Sequence, residues 1–279
     1  MTLRARAGAD TGRAGRPGSA SAAREARGQW LVLCHTTDLP ALWAYRGLRA
    51  RGLAPIEVVS AETLSAALRW VHRVGAAGAD VEIALTDGRA IRAARIRGVV
   101  NRIVSVPVTI WRGAPEADRD YVLQELTALY ASWLYALPCP VLNRPTAFGL
   151  AGAWRHESEW VRLAAWAGLP TPTYRHSCDD GFDDAAGERR LLPAGTHART
   201  VIVAGGRAFA AHAPGDVMNG CVRLAKLSNT PLLGVEFVAG AAGAWTFAGA
   251  TPTPDLIQGG PPMLDALAEA LRTSAHGSA

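Results

Sequence analysis

Lysine is almost missing from this chain. Of its 29 basic residues only Lys226 is a lysine and the other 28 are arginines, a skew that accompanies abundant alanine and glycine and suits a GC-rich genome. Cysteine is sparse too. Cys34, Cys139, Cys178 and Cys221 are scattered with no CxxC pair, which fits a reduced, cytoplasmic protein. No run of 18 apolar residues occurs, so no membrane span is expected, and no signal-peptide core is present. Acidic residues are scarce in the first 27 positions, where six arginines meet only Asp10 and Glu25. That tail holds about +4 of the net charge of +5, leaving about +1 for the remainder. The high pI therefore belongs to a segment without hydrophobic periodicity, and a basic nucleic-acid face on the body is not expected. The tail also lacks the amphipathic stretch of a transit peptide and reads as a solvated extension. There is no internal repeat.

What remains is enough for a sizeable core: 279 residues, 49% hydrophobic and 19% charged, suit one large or two small domains. QWLVLCH (29–35) is a buried-strand run, and Thr36-Thr37-Asp38 is a helix-cap cluster before a helix over 39–51 that Gly52 ends. IEVVS (56–60) is the next strand, so the unit is strand–helix–strand and implies a parallel sheet. The Asp87-Gly88 turn joins a hairpin of 81–85 and 90–92, and GVVNRI (98–103) is a further strand. A long helix over 118–136, a short strand PVLN (140–143) and a helix over 157–167 closed by Gly168 follow. The stretch 175–196 is acidic, Gly-rich and aperiodic, and reads as an exposed loop. A hairpin about Gly205-Gly206, a helix over 216–227 and a terminal helix over 261–272 complete the reading.

The most informative segment is Thr230 to Pro254, TPLLGVEFVAGAAGAWTFAGATPTP: strand LLGVEF, a Gly/Ala turn, strand AWTFAGA and a Pro-x-Pro stop. In that layout it resembles the closing hairpin of ATP-grasp ligases, L-x-G-V-D-F, turn, F-x-E-V-N-P-x-P. The resemblance to RimK-like or glutathione-synthetase-like members runs over about 29–273. It is carried also by VVNRIVSVP, PVLNRPTA, the helix ending in AGLPTP, and RTVIVAGGRAFAA. It implies an α/β fold: an N-terminal open parallel-type α/β (pre-ATP-grasp) domain over 28–143, then a truncated α+β ATP-grasp-like domain over 144–273 with the loop 175–198. Residues 1–27 and 274–279 are expected to be disordered.

In that family the hairpin's Asp, Glu and Asn hold the magnesium ions that bridge the nucleotide phosphates. Here the first acid survives as Glu236, the one vestigial metal ligand, while the Glu position is Gly249 and the Asn position is Thr251. The first nucleotide lysine falls at Glu157, whose carboxylate would repel phosphate. Between Tyr174 and Ala198 no lysine occurs, and most of the central nucleotide-binding subdomain is read as deleted. Arg155, Arg223 and Lys226 are the vestigial nucleotide-side cations, and Arg144 joins Arg155 and Arg223 as candidates to face an anion in the cleft. Asn101-Arg102 and Asn143-Arg144, both following strands, are the candidate cleft residues, with structural hydrogen bonding the alternative.

Three readings follow. The favoured one is a catalytically inactive binding or partner subunit in a peptide-modifying or natural-product pathway, needing neither ATP nor magnesium. It would be a homodimer or a complex with an active ligase or a peptide, with no nucleic-acid or membrane partner. The second is an active ATP- and magnesium-dependent carboxylate–amine ligase whose metal site draws on Glu236, Asp216 and Asn219 and whose cation is Arg223 or Lys226. The third is a different enzyme using Cys34 and His35 at the carboxyl edge of the sheet. A zinc site from Cys34, His35, His176 and Cys178 and a calcium loop at 179–184 are weaker alternatives. The tryptophans at 43, 70, 133, 154, 160, 166 and 245 are assigned to packing, with Trp154 and Trp160 alternatively a partner surface.

Overall fold

The computed structural model describes residues 28–76, 78–107, 111–174, 198–239 and 244–273. Strand β1 (Gln29–Cys34) is buried along nearly its whole length because it faces two cores. Leu31 and Leu33 enter one hydrophobic cluster, while Trp30, Val32 and Cys34 enter another. That two-sided burial is why its sequence runs apolar without alternation. Helix α1 (Leu39–Ala50) starts where the Asp38 carboxylate accepts the Ala41 amide at 3.0 Å, and it ends at Gly52, whose φ of +82° suits glycine. Strand β2 (Ile56–Ser60) then pairs parallel to β1. Ser60 caps a short helix α2 (Ala61–Ser65) that sequence periodicity did not reveal.

A three-stranded antiparallel sheet follows: β3 (Arg69–Gly75), β4 (Gly78–Ala84) and β5 (Ala90–Arg92). The Asp87-Gly88 hairpin was legible, but β3 was not. Its RWVHRVG is largely exposed and charged, so it shows little apolar signal. Its anchor is Trp70, whose ring lies 5.3 Å from Trp133 and 5.0 Å from Tyr130. Those two residues come from helix α3 (Glu116–Ala136), which buries only Tyr130, Trp133 and Leu134.

Strands β6 (Ile96–Asn101) and β7 (Val141–Leu142) complete a parallel sheet in the order β2-β1-β6-β7. Chain order reverses between β1 and β6, so this sheet has its switch point at the ends of those two strands.

After helix α4 (Glu157–Trp166), an antiparallel sheet runs in the order β11-β10-β8-β9. It consists of β8 (Ala198–Ala204), β9 (Arg207–Phe209), β10 (Leu233–Ala239) and β11 (Trp245–Thr251). Helix α5 (Gly215–Leu227) packs with α4 on one sheet face, against Val201, Val203, Val235 and Phe237. The opposite face, with Ile202 and Ala204, meets the terminal helix α6 (Gly260–Arg272). The same helix packs on Trp30, Val32 and α1. An added Cβ on Gly47 would lie only 2.3 Å from Leu264, so α1 and α6 approach as closely as glycine allows. Helix α6 thus belongs to both halves of the chain. Among the described residues no helix is long and apolar enough to cross a membrane.

One expectation needs correction at two positions. Trp154 and Trp166 are not core residues: they are 71% and 64% exposed, whereas Trp30, Trp133 and Trp160 are buried. The arginine-stacked Trp166 ring, 4.3 Å from the Arg162 guanidinium, explains how it tolerates solvent. The acidic stretch 175–197, with its candidate zinc and calcium ligands, lies outside the described residues, as do the tail and the C-terminal end.

Candidate functional site

The closing hairpin holds the residues to which the sequence pointed. Glu236 on β10 pairs with Gly249 on β11 and with Thr200 on β8, so these three share one sheet face. A Cβ built on Gly249 would stand 3.6 Å from Glu236 Oε2, in ordinary contact. A side chain at 249 would therefore lie beside the Glu236 carboxylate, which has no hydrogen-bond or ion-pair partner among the described residues. Thr251 is on the same face, opposite Gly234, and its hydroxyl accepts the Thr253 amide at 3.2 Å. One half-buried carboxylate, a glycine and an engaged hydroxyl do not fit magnesium, which wants several oxygen ligands in octahedral array. Among the described residues no group of three or more His, Cys, Asp or Glu converges on one point.

The relocated ligands are not brought there. Asp216 and Asn219 are exposed on α5, and α5 packs on the face of the sheet opposite to Glu236. The strand layer stands between them. Arg223 Nε donates to the Ala167 carbonyl at 2.8 Å, capping the end of α4. Lys226 lies in the last turn of α5, where the helix dipole favours a cation, beside a pocket of about 310 Å³ shared with Val203, Val222 and Thr230.

The four candidates after β6 and β7 form a lock between the halves. Arg102, 4% exposed, donates to Asp38 at 2.7 and 3.1 Å and to the Pro254 carbonyl at 2.9 Å. Asn101 donates to the carbonyls of Asn143 and Leu150 at 2.9 and 2.6 Å. Asn143, at φ +59°, donates to the Leu232 and Pro252 carbonyls at 2.7 Å each and accepts the Leu232 amide at 3.1 Å. Both carbonyls of the Pro-x-Pro stop are therefore held by the end of the parallel sheet. Arg144 shares Nη1 among the carbonyls of Leu134, Tyr135 and Leu137 and donates Nη2 to Cys139 at 2.8 Å, which caps α3. These side chains hold the frame, and their donors already serve the protein.

Cys34 and His35 do end β1 at the switch point. Burial, with Asp38 nearby and against the pull of Arg102, pushes the Cys34 thiol up to about 11. A protonated thiol is a poor nucleophile. His35 Nδ1 lies 3.3 Å from Glu62, whose other oxygen accepts the Thr36 amide at 3.2 Å. Burial would raise the Glu62 carboxyl, but its hydrogen bonds outweigh that and hold it below its usual value.

Arg155 is placed differently from the other cations. It reaches Glu159 one turn into α4 and donates to the Ser228 carbonyl at 3.1 Å, yet its Nε has no partner among the described residues. It lines a pocket of about 210 Å³ with Val104, the loop 149–154, Trp160, Ala250 and Pro252. The loop needs glycine twice: a Cβ on Gly149 would sit 2.5 Å from the Gly152 carbonyl, and Gly152 has φ +95°. Sequence reasoning passed over this loop. Its signal was the Gly149 and Gly152 pair inside a run of small residues.

No family model and no curated protein matches the sequence. Solved structures do. The macrocyclase MdnC from Microcystis aeruginosa MRC, bound with precursor peptide MdnA, has a TM-score of 0.66 at 13% identity, over 87% of this chain and 99% of that one. The Chryseobacterium gregarium RiPP-associated ATP-grasp ligase, in complex with ADP and a leader and core peptide, gives 0.64 at 10%, over 88% and 96%. The ATP-grasp ligase PsnB complexed with precursor peptide PsnA2 and AMPPNP gives 0.63 at 20%, over 88% and 98%. The chain has the ATP-grasp fold, as its closing hairpin implied.

Proposed function

We propose that this protein is a catalytically inactive ATP-grasp-fold subunit that binds a peptide in a peptide-modifying pathway, as a homodimer or beside an active ligase. One observation carries the reading: Glu236 faces Gly249 and Thr251 where an active hairpin presents further oxygen ligands. Phosphoryl transfer to a carboxylate depends on charge neutralisation by metal ions and fixed cations. Loss of a single preorganised charge-stabilising group costs on the order of 3 kcal/mol. Glu236 lacks its companion ligands, Arg223 caps a helix, and Asp216 and Asn219 stand across the sheet. Three solved structures similar to this chain hold a precursor peptide or a leader and core peptide, which supports a peptide as the partner.

Isothermal titration of the purified full chain with ATP and magnesium, beside thermal melts with and without both, tests the reading. No heat and no melting shift are expected. Micromolar, magnesium-dependent binding would give the lead to an active carboxylate–amine ligase.

A further inference from the structure

We infer that the pocket at Arg155 is a carboxylate-binding subsite that takes one residue-sized acid from a peptide. The inference rests on the peptide-binding reading and names the group recognised. Three observations meet there. Among the described residues Arg155 is the candidate cation that both lines a pocket and retains a buried N–H without an acceptor. The amides of Leu150, Ala151 and Ala153, in the loop along the same pocket, have no acceptor among the described residues. The remaining wall is apolar, with Trp160 on one side and the 71%-exposed Trp154 at the rim.

Successive backbone amides beside a guanidinium are a site for a planar anion, because a carboxylate accepts several N–H bonds at once. Among the described residues the one carboxylate held by Arg155 is Glu159, bonded through Nη1, while Nη2 serves the Ser228 carbonyl. Nε is thus left over, buried, and stabilised only when an acceptor reaches it. At about 210 Å³ the cavity is smaller than the roughly 300–1,000 Å³ of drug-sized ligand pockets, so it suits one side chain with its acid and not a nucleotide.

The acid could be a peptide's C-terminus or a Glu or Asp side chain, and the probes separate these sources. The full chain is titrated with N-acetyl-L-leucine, with the side-chain acid N-acetyl-L-glutamate α-amide, and with N-acetyl-L-leucinamide. Changes in the indole signals of Trp154 and Trp160 are the readout. Either acid is expected to bind at least about tenfold better than the amide, and the tighter acid names the source. Arg155→Lys, which keeps the charge but removes the fork, should weaken the acid by a similar factor. Ala250→Leu, which fills the cavity without touching Arg155, should abolish binding in a chain that melts as the parent does.

Equal binding of acid and amide, no binding of either acid, or full binding by both variants would each overturn the inference. None of these outcomes depends on ATP. A positive magnesium–ATP titration would remove the inactive-subunit reading and leave this result standing.

Discussion

Arg102 grips both oxygens of Asp38, at 2.7 and 3.1 Å, while its remaining arm holds the Pro254 carbonyl at 2.9 Å. Asp38 is also the cap of α1. One buried guanidinium therefore connects the start of the first helix, the end of β6 and the exit of the closing hairpin. Removing one partner of such a pair costs about 3–5 kcal/mol, since the other charge stays behind unpaired. Arg102→Met should lower urea-unfolding stability by that order, and Arg102→Lys by less. An unchanged unfolding midpoint in Arg102→Met would show that the pair is not a clamp.

Asn143 offers an independent test of the same junction. Substitution by alanine strands two carbonyls and the Leu232 amide and leaves at φ +59° a residue that tolerates the left-handed region less well than asparagine. Each unpaired buried group costs about 1–3 kcal/mol. Asn143→Ala should be destabilised by about 3 kcal/mol or more, and Asn143→Gly by less, because glycine adopts this φ freely. The order of the two variants in equilibrium unfolding is the check.

The proposal that the Glu236 face is a vestigial metal site can be tested by rebuilding it. Gly249→Glu places a second carboxylate beside Glu236, and Thr251→Asn adds the missing amide oxygen. Without a divalent ion the double variant should melt below the parent, because like charges directly opposite are destabilising. Magnesium at millimolar concentration should restore its melting temperature and leave the parent unmoved. Absence of any magnesium-dependent shift in the variant would mean that Glu236 does not occupy a metal-ligand position.

The buried thiols predict a pH dependence. Burial pushes Cys34 and Cys139 up to about 11 and Cys221 up to about 12. In the unfolded chain they ionise near pH ~8.5. Above that value the unfolded state releases protons that the folded state still holds, so stability falls as pH rises toward 11 and is unaffected below about 8. Urea midpoints at pH 7 and pH 10 should differ in that direction, and Cys221→Ala should flatten the difference. A thiol reagent at pH 8 should leave these three unmodified until the chain unfolds.

Much of this fold was legible because its signals are local. The apolar run of β1, the Asp38 cap, the Asp87-Gly88 and Gly205-Gly206 turns and the Pro-x-Pro stop each follow from backbone preference or burial pattern within a few residues. Strand β3 was not, since its charged face hides the period and only Trp70, meeting α3 sixty residues later, fixes it. The site divides in the same way. Sequence alone, through the resemblance of the hairpin, pointed to Glu236 as the one retained ligand position, with Gly249 and Thr251 at the other two. It could not show what Asn101, Arg102, Asn143 and Arg144 do, because polar residues after strands serve a cleft or a clamp equally well. Only the tertiary structure decided for the clamp, by placing acceptors from residues as far apart as Asp38 and Pro254 within hydrogen-bond reach. It likewise set α5 and Glu236 on opposite faces of a sheet, and left the buried Nε of Arg155 without an acceptor among the described residues, at the wall of a pocket. Those are distances between segments remote in sequence, and no local preference encodes them.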